Sequence, residues 1–341
     1  ERGRFEVYAF SYGPNTGDSM RLRLESAFDH FLDVSGLTDA AIVELAHKVE
    51  IDIAIDLAGL TGSRTGIFAM RAAPVQVSYL GFPGTSGAPY MDYLIADEHV
   101  IPPGREASYV EKIAYLPCFQ VNDRRREIAD RIFTRNELGL PVSGFVFCCF
   151  NKNYKFTAEI FACWMRILKR VDGSVLWLYA ETDQVAINLK EEASAQGVDE
   201  RRLVFGRHLP PAEYLARYRS ADLFLDTFPF NAGTTASDAL WAGLPVLTLA
   251  GNAYAARMGA SLLHGVNLRE LITSSLETYE DMAVSLAQHP ERLKQLREKL
   301  AGSRDTSALF DTERFTKHIE SAFAKMFERH RASLPPVGIA M

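Results

Sequence analysis

The sequence predicts an α/β fold of two Rossmann-like lobes followed by a helical tail, and three observations carry that prediction. Short apolar runs alternate with segments of helical period almost from end to end, as helices layered on parallel sheets require. Those runs are continuous rather than alternating, which suits strands buried on both faces. Between residues 102 and 135 the pattern loosens into Pro102-Pro103-Gly104 and the charged run Asp123-Arg124-Arg125-Arg126-Glu127. That stretch reads as a solvated linker, and the boundary between the lobes is placed in it.

In the first series, residues 5–10 read as a strand, 18–27 as a helix and 30–34 as a strand. A helix over 38–49 opens on a Thr cap, and 51–57 and 75–80 give two further buried strands. A short strand over 113–116 lies in the loose segment. The second series has strands over 145–150, 174–179, 203–205, 222–225 and 245–249. Helices over 157–170, 184–196, 211–220, 235–242 and 257–264 separate them. Helices over 277–288, 290–301 and 311–331 follow, and no internal repeat is visible. The expected domains are residues 1–130, 131–310 and a final helix over 311–333. The first lobe is expected to lack its first strand, because the sequence opens without Met and runs at once into the apolar run at Phe5.

At 341 residues and 48% hydrophobic content the chain can build two cores, which excludes disordered and small-scaffold classes. A net charge of −6 excludes a general nucleic-acid or polybasic membrane binder but leaves room for a local basic cleft. Cys118, Cys148, Cys149 and Cys163 lack metal-ligand spacing and fit a reduced, cytoplasmic-type protein. No apolar run approaches the roughly 20 residues that span a bilayer, and no signal peptide is seen. The eight histidines are scattered, so no metal site is expected.

Three turns stand where a doubly wound sheet binds ligands. In Asn231-Ala232-Gly233-Thr234-Thr235-Ala236-Ser237-Asp238, Gly233 permits close backbone approach and the two threonines add hydroxyls to a helix start, which suits a phosphate. Asp238 could then hold ribose hydroxyls. The same residues also fit an ordinary Thr cap with Asp238 on the helix dipole. In Phe150-Asn151-Lys152-Asn153-Tyr154-Lys155 two lysines follow a buried strand and could neutralise a diphosphate without a metal, or could be common loop lysines. Leu80-Gly81-Phe82-Pro83-Gly84-Thr85-Ser86-Gly87 suits close packing on a ligand and is equally legal as a plain loop. No G-x-G-x-x-G follows the first strand, and Walker A and G-x-S-x-G motifs are absent, so dehydrogenase, P-loop and serine-hydrolase readings lack support.

These turns resemble the catalytic region of the O-GlcNAc transferase and Spindly family. So do Arg71-Ala72-Ala73-Pro74-Val75-Gln76, Trp164-Met165-Arg166-Ile167-Leu168, Ser174-Val175-Leu176-Trp177-Leu178, Leu225-Asp226-Thr227 and Leu240-Trp241-Ala242-Gly243-Leu244-Pro245. The resemblance covers nearly the whole chain. It implies a GT-B glycosyltransferase, inverting and metal-independent, that moves GlcNAc from UDP-GlcNAc to Ser or Thr hydroxyls of proteins. It also implies tetratricopeptide repeats upstream to present the acceptor.

Carried over by residue, the resemblance implies that Lys155 holds the donor diphosphate and stabilises charge on the leaving group. Thr234 and Thr235 contact the diphosphate, and Asp238 the ribose. Leu209, Pro210 and Pro211 line the base, Tyr214 stacks on it, and Arg217 is a nucleotide contact. His30 lies near acceptor and sugar, with Leu80 and Gly81 beside the sugar. Three departures stand out: Lys152 replaces a polar amide, Gly233 a histidine and Tyr214 a stacking histidine. Lys152 is expected to compensate for the donor lost at Gly233. A family histidine at the acceptor lies before the strand that opens this sequence, so the 341 residues alone are expected to transfer weakly while still binding nucleotide. The motifs leave open a Spindly-type O-fucosyltransferase using GDP-fucose and a non-catalytic nucleotide-binding scaffold. A GT-B-shaped 2-epimerase would need paired cleft carboxylates that the sequence does not place.

Overall fold

Apolar runs become strands and amphipathic runs become helices largely as the pattern predicts, with the strands Tyr93–Ala96, Ile272–Thr273 and Ile339–Ala340 and the short helix Thr65–Ala69 in addition. The computed structural model describes all 341 residues, Glu1 to Met341. The chain divides into two units. One comprises Glu1–Ala96, Gly104–Leu116 and Thr316–Met341; the other comprises Asp97–Pro103 and Pro117–Phe315. The division thus falls after Leu116 rather than in the 123–127 run, and most of the final helix joins the first unit instead of forming a separate tail. No helix is long and apolar enough to cross a membrane.

The first unit opens with β1 (Tyr8–Ser11), α1 (Ser19–Ala27) and β2 (His30–Asp33), followed by α2 (Asp39–Lys48), β3 (Ile53–Asp56), α3 (Thr65–Ala69), β4 (Val75–Ser78), β5 (Tyr93–Ala96) and β6 (Lys112–Tyr115). Thr38 caps α2 as predicted, accepting from Ala41 N at 3.2 Å. β1 and β2 pair only with each other, in parallel, while β3 to β6 form a separate parallel sheet. Both sheets rest on one core: Ile42, Val43 and Ala46 of α2 are buried, with Phe10 of β1, Leu32 of β2 and Ala54 of β3 packed against that cluster. β4 is buried throughout. Its Gln76 survives there because Oε1 accepts from Ala72 N at 3.0 Å and Nε2 donates to the carbonyls of Phe68 and Tyr90 at 2.9 and 2.8 Å.

The second unit contains β7 (Val146–Cys149), α4 (Ala158–Arg170), β8 (Val175–Tyr179), α5 (Asp183–Ala195), β9 (Leu203–Gly206), α6 (Pro211–Arg217), β10 (Leu223–Leu225), α7 (Thr234–Trp241), β11 (Val246–Leu249), α8 (Met258–Gly265), β12 (Ile272–Thr273), α9 (Leu276–Gln288) and α10 (Pro290–Ser303). Its six strands lie parallel in the order β12-β11-β10-β7-β8-β9. This is the doubly wound Rossmann order, with the chain reversing direction across the sheet between β7 and β10. Phe147, Cys148, Trp177, Leu178 and Phe224 are fully buried, as strands covered on both faces must be. The last elements, α11 (Thr312–Arg331) and β13 (Ile339–Ala340), end the chain, and β13 pairs with β6 to complete a five-stranded sheet in the first unit.

Candidate functional site

Ligands of doubly wound sheets bind beyond the carboxyl ends of the strands where the order reverses. Here those are β7 and β10; the loop that leaves β7, 150–155, is one of the turns singled out in the sequence, and the loop that leaves β10, 226–233, leads into another, 231–238. After β7, Asn153 pins its turn to the end of β8, donating to Tyr179 O at 2.8 Å and accepting from Glu181 N at 3.1 Å. The turn carries Lys155 inward. Its Nζ donates to the Asn231 carbonyl at 3.0 Å and lies 3.8 Å from the centre of the Phe230 ring. Burial pulls the Lys155 pKa below the usual lysine value, and the charge of Asp226 opposes that pull. Lys152 does not join it. This side chain is exposed and stands 3.7 Å from Glu181 Oε1, so the compensating role expected of it has a surface ion pair as competitor.

Asp226, directly after β10, is fully buried, and its carboxylate accepts from Thr227 N at 2.8 Å, Ala232 N at 2.7 Å and Thr248 Oγ1 at 2.7 Å. These bonds fold residues 227–232 back on themselves and fix the Asn231 carbonyl where Lys155 meets it. Burial pushes the Asp226 carboxyl up to about 6, against the pull of those hydrogen bonds and of Lys155.

The loop leads into α7, whose N-cap is Gly233, with no side-chain cap. The Thr-cap alternative therefore does not hold. Thr235 donates its hydroxyl to Asn151 Oδ1, and Asn151 Nδ2 donates to Thr227 Oγ1 at 2.7 Å. Thr234 is exposed, and the N–H groups of the first turn lack intrahelical partners. A Cβ at Gly233 would stand 2.6 Å from Met258 Cε, the end of a flexible side chain, so a larger residue here needs that methionine to shift. An ammonium, an uncapped helix start and a hydroxyl network thus converge in one unit, an arrangement suited to a polyanionic group such as a diphosphate.

Asp238, one turn further along α7, is 4% exposed and is ion-paired to Arg126 through Oδ1. Arg126 belongs to the run read as a solvated linker, and that reading is corrected here. Arg125 does behave so, pairing at the surface with Asp123 at 3.1 Å. Arg124 Nε donates to Phe310 O at 2.9 Å, Asn122 Nδ2 donates to Ser237 Oγ at 2.8 Å, and Trp241 Nε1 donates to Arg126 O at 3.0 Å. Buried polar groups on α7 need partners, and this segment supplies them.

Leu209, Pro210 and Pro211 lead into α6, with Pro210 at its N-cap and Pro211 at its first position. Tyr214 follows. Its hydroxyl meets that of Tyr218 at 2.7 Å, and Tyr218 donates to Thr235 O at 3.3 Å, which ties α6 to the start of α7. Burial pushes the Tyr214 phenol up to about 12, and the nearby charge of Asp238 adds to the rise. Arg217 differs from its expectation as a ligand contact. It is 3% exposed, 3.9 Å from the centre of the Phe150 ring and 4.5 Å from that of Tyr214, and it donates to Arg207 O at 2.8 Å. In this arrangement it braces the aromatic wall from within.

The remaining candidates lie in the first unit. His30 Nε2 sits 2.7 Å from Glu6 Oε1, and its ring stacks on Tyr8 with centroids 4.2 Å apart. Leu80 takes φ 65, and Gly81 admits no side chain because a Cβ would lie 2.1 Å from the Leu57 carbonyl oxygen. The loop beyond is pinned by buried Glu111, which accepts from Thr85 Oγ1 at 2.6 Å and Ser86 N at 2.7 Å. Sequence reasoning gave no role to Asp226, Arg126 or Glu111. For Asp226 a signal existed, an acidic residue closing a wholly apolar strand, because such a carboxylate must find donors.

Comparison with known proteins bears on the chain as a whole. The profile of glycosyl transferase family 41 matches residues 1–131 and 126–319. A probable UDP-N-acetylglucosamine–peptide N-acetylglucosaminyltransferase (SEC) of Arabidopsis thaliana is 40% identical over 98% of this chain and 35% of its own length. The UDP-N-acetylglucosamine–peptide N-acetylglucosaminyltransferase of Caenorhabditis elegans is 25% identical over 98% of this chain and 39% of its own length. The chain thus spans little more than a third of these curated relatives. Among solved structures, a mutant O-GlcNAc transferase of Thermobaculum terrenum superposes with a TM-score of 0.88 at 33% identity, covering 98% of this chain and 64% of that one. Anabaena HepE, solved with UDP and glucose, shares the fold at a TM-score of 0.61 and 15% identity, over 93% of this chain and 98% of that one. The fold is GT-B.

Proposed function

Because the chain belongs to glycosyl transferase family 41, we propose that it is the catalytic region of an inverting transferase that moves GlcNAc from UDP-GlcNAc to Ser or Thr hydroxyls of proteins. The observation that carries this reading is Lys155, an ammonium held by a main-chain carbonyl beside the uncapped start of α7. When the bond from the sugar to the diphosphate breaks, negative charge grows on the leaving phosphate. A fixed cation and a helix start favour that state over the ground state. In this reading the diphosphate lies at Lys155, Thr234 and Thr235, the ribose at Asp238, and the base against Tyr214 and the 209–211 segment. No metal is required. His30 is assigned to the acceptor side, where Glu6 orients its ring to take a proton.

The reading includes upstream tetratricopeptide helices that present the acceptor, for which the relatives' greater length leaves room. Four buried, unpaired cysteines support a reducing, cytoplasmic setting. Calorimetry of the chain with UDP and GDP, with and without EDTA, tests the donor site. UDP binding unaffected by EDTA is expected; a GDP preference would point to a Spindly-type fucosyl donor, and binding of neither would overturn the reading. Mass spectrometry of a lysate treated with UDP-GlcNAc and the longer protein, with Lys155→Ala as control, tests transfer.

A further inference from the structure

We propose that Arg126 is a positioning residue for the nucleotide's ribose, holding Asp238 as an oriented, ionised acceptor. The inference rests on the donor-site reading above and adds to it a residue from outside the two sheet-end loops. Asp238 lies one turn beyond Thr234 and Thr235 on α7, and its charge is felt by both Tyr214 and Tyr218. Tyr218 donates to Thr235 O at 3.3 Å and its hydroxyl meets that of Tyr214 at 2.7 Å, so the helix that carries Asp238 is tied to the ring proposed for the base, and in the donor-site reading a ribose connects that ring to the diphosphate.

A carboxylate that is 4% exposed does not stay ionised without a partner. Arg126 is the cation bonded to it. The arginine is itself held: its main-chain carbonyl accepts from Trp241 Nε1 at 3.0 Å, and its Nη1 lies 3.4 Å from Asn122 Oδ1. Asn122 in turn is anchored on Ser237 at 2.8 Å. Both sides of the Arg126–Asp238 pair are therefore fixed to the same helix. The arginine side chain nevertheless keeps 29% of its surface open, so the pair lies at the edge of the unit rather than in its core. Chemically, an ionised carboxylate accepts a hydroxyl hydrogen strongly, whereas a protonated one accepts weakly and competes as a donor. Burial favours the protonated form, and Arg126 opposes it.

The test is titration of the chain, and of Arg126→Gln, Arg126→Lys and Asp238→Asn, with UDP, 2′-deoxy-UDP, 3′-deoxy-UDP and inorganic pyrophosphate. The wild-type chain is expected to lose affinity for at least one deoxy nucleotide by about tenfold. Arg126→Gln is expected to bind UDP roughly 10- to 100-fold more weakly, to lose most of the deoxy penalty, and to bind pyrophosphate as the wild type does. Arg126→Lys should recover part of the UDP affinity, and it carries the test if the Gln variant does not fold. Wild-type UDP affinity in Arg126→Gln, an undiminished deoxy penalty, or an equal loss of pyrophosphate would overturn the proposal. Failure of the wild-type chain to bind UDP would instead overturn the donor-site reading.

Discussion

Lys155 Nζ donates to the main-chain carbonyl of Asn231 at 3.0 Å, so the cation is held by a dipole and not by a carboxylate. Asp226 contributes its charge nearby while spending its own hydrogen bonds on Thr227, Ala232 and Thr248. A carbonyl partner can be exchanged for a phosphate oxygen at little cost, because the ammonium gains a charged acceptor in return.

Lys155→Ala should therefore keep the fold and weaken UDP by roughly 10- to 100-fold. Any transfer by the longer protein should fall by about 10²–10³. Calorimetry and a radiolabelled sugar assay would show this, and an unchanged affinity would remove Lys155 from the site.

Asp226→Ala leaves three donors without their acceptor, which should cost about 3 kcal/mol or more in chemical denaturation. The pH dependence has a definite sign. Burial pushes the native carboxyl up to about 6 from its ordinary 3.8, so the folded chain binds the extra proton in that window. Its contribution to stability is present at low pH and falls as pH rises towards 6. The stability of wild type relative to Asp226→Asn should accordingly grow as pH is lowered from 7 through 6 towards 4, measured by urea midpoints.

His264 moves in the opposite sense. It is stacked on His99 with ring centroids 3.7 Å apart, and burial, with His99 adding to it, lowers its pKa to about 4 from 6.5. The stabilising contribution is complete above pH 6.5 and is lost as pH falls towards 4. His264→Phe should flatten the acid limb of thermal stability in that range, and a thermal-shift series in matched buffers reads it directly.

Gly81→Ala forces a Cβ to within 2.1 Å of the Leu57 carbonyl oxygen, a backbone atom that cannot swing aside. A loss of about 1–3 kcal/mol is expected, with UDP binding by the second unit retained. Denaturation followed alongside nucleotide titration separates the two effects.

Much of this was legible in the sequence. The apolar runs at 145–150, 174–179, 222–225 and 245–249 could be placed as buried parallel strands, and the turns carrying Lys155 and Thr234 beyond the carboxyl ends of the first and third of them, because period and burial are properties of neighbouring residues. The strand at Tyr93–Ala96 went unmarked, since four apolar residues in a loosely patterned stretch carry too little period to identify. The split of the first unit into two sheets over one helix was also invisible, because hydrogen-bond partners across strands leave no trace in spacing.

By itself the sequence determined the two α/β series, the apolar faces and the turns at the strand ends, all of which follow from local chemistry along the chain. Only the tertiary structure decided that Arg126 meets Asp238 across 112 residues and that Asp226 shapes the loop on which Lys155 rests. The reason is physical: a buried charge must find its partner wherever packing brings one, and no rule of spacing along the chain says where that will be.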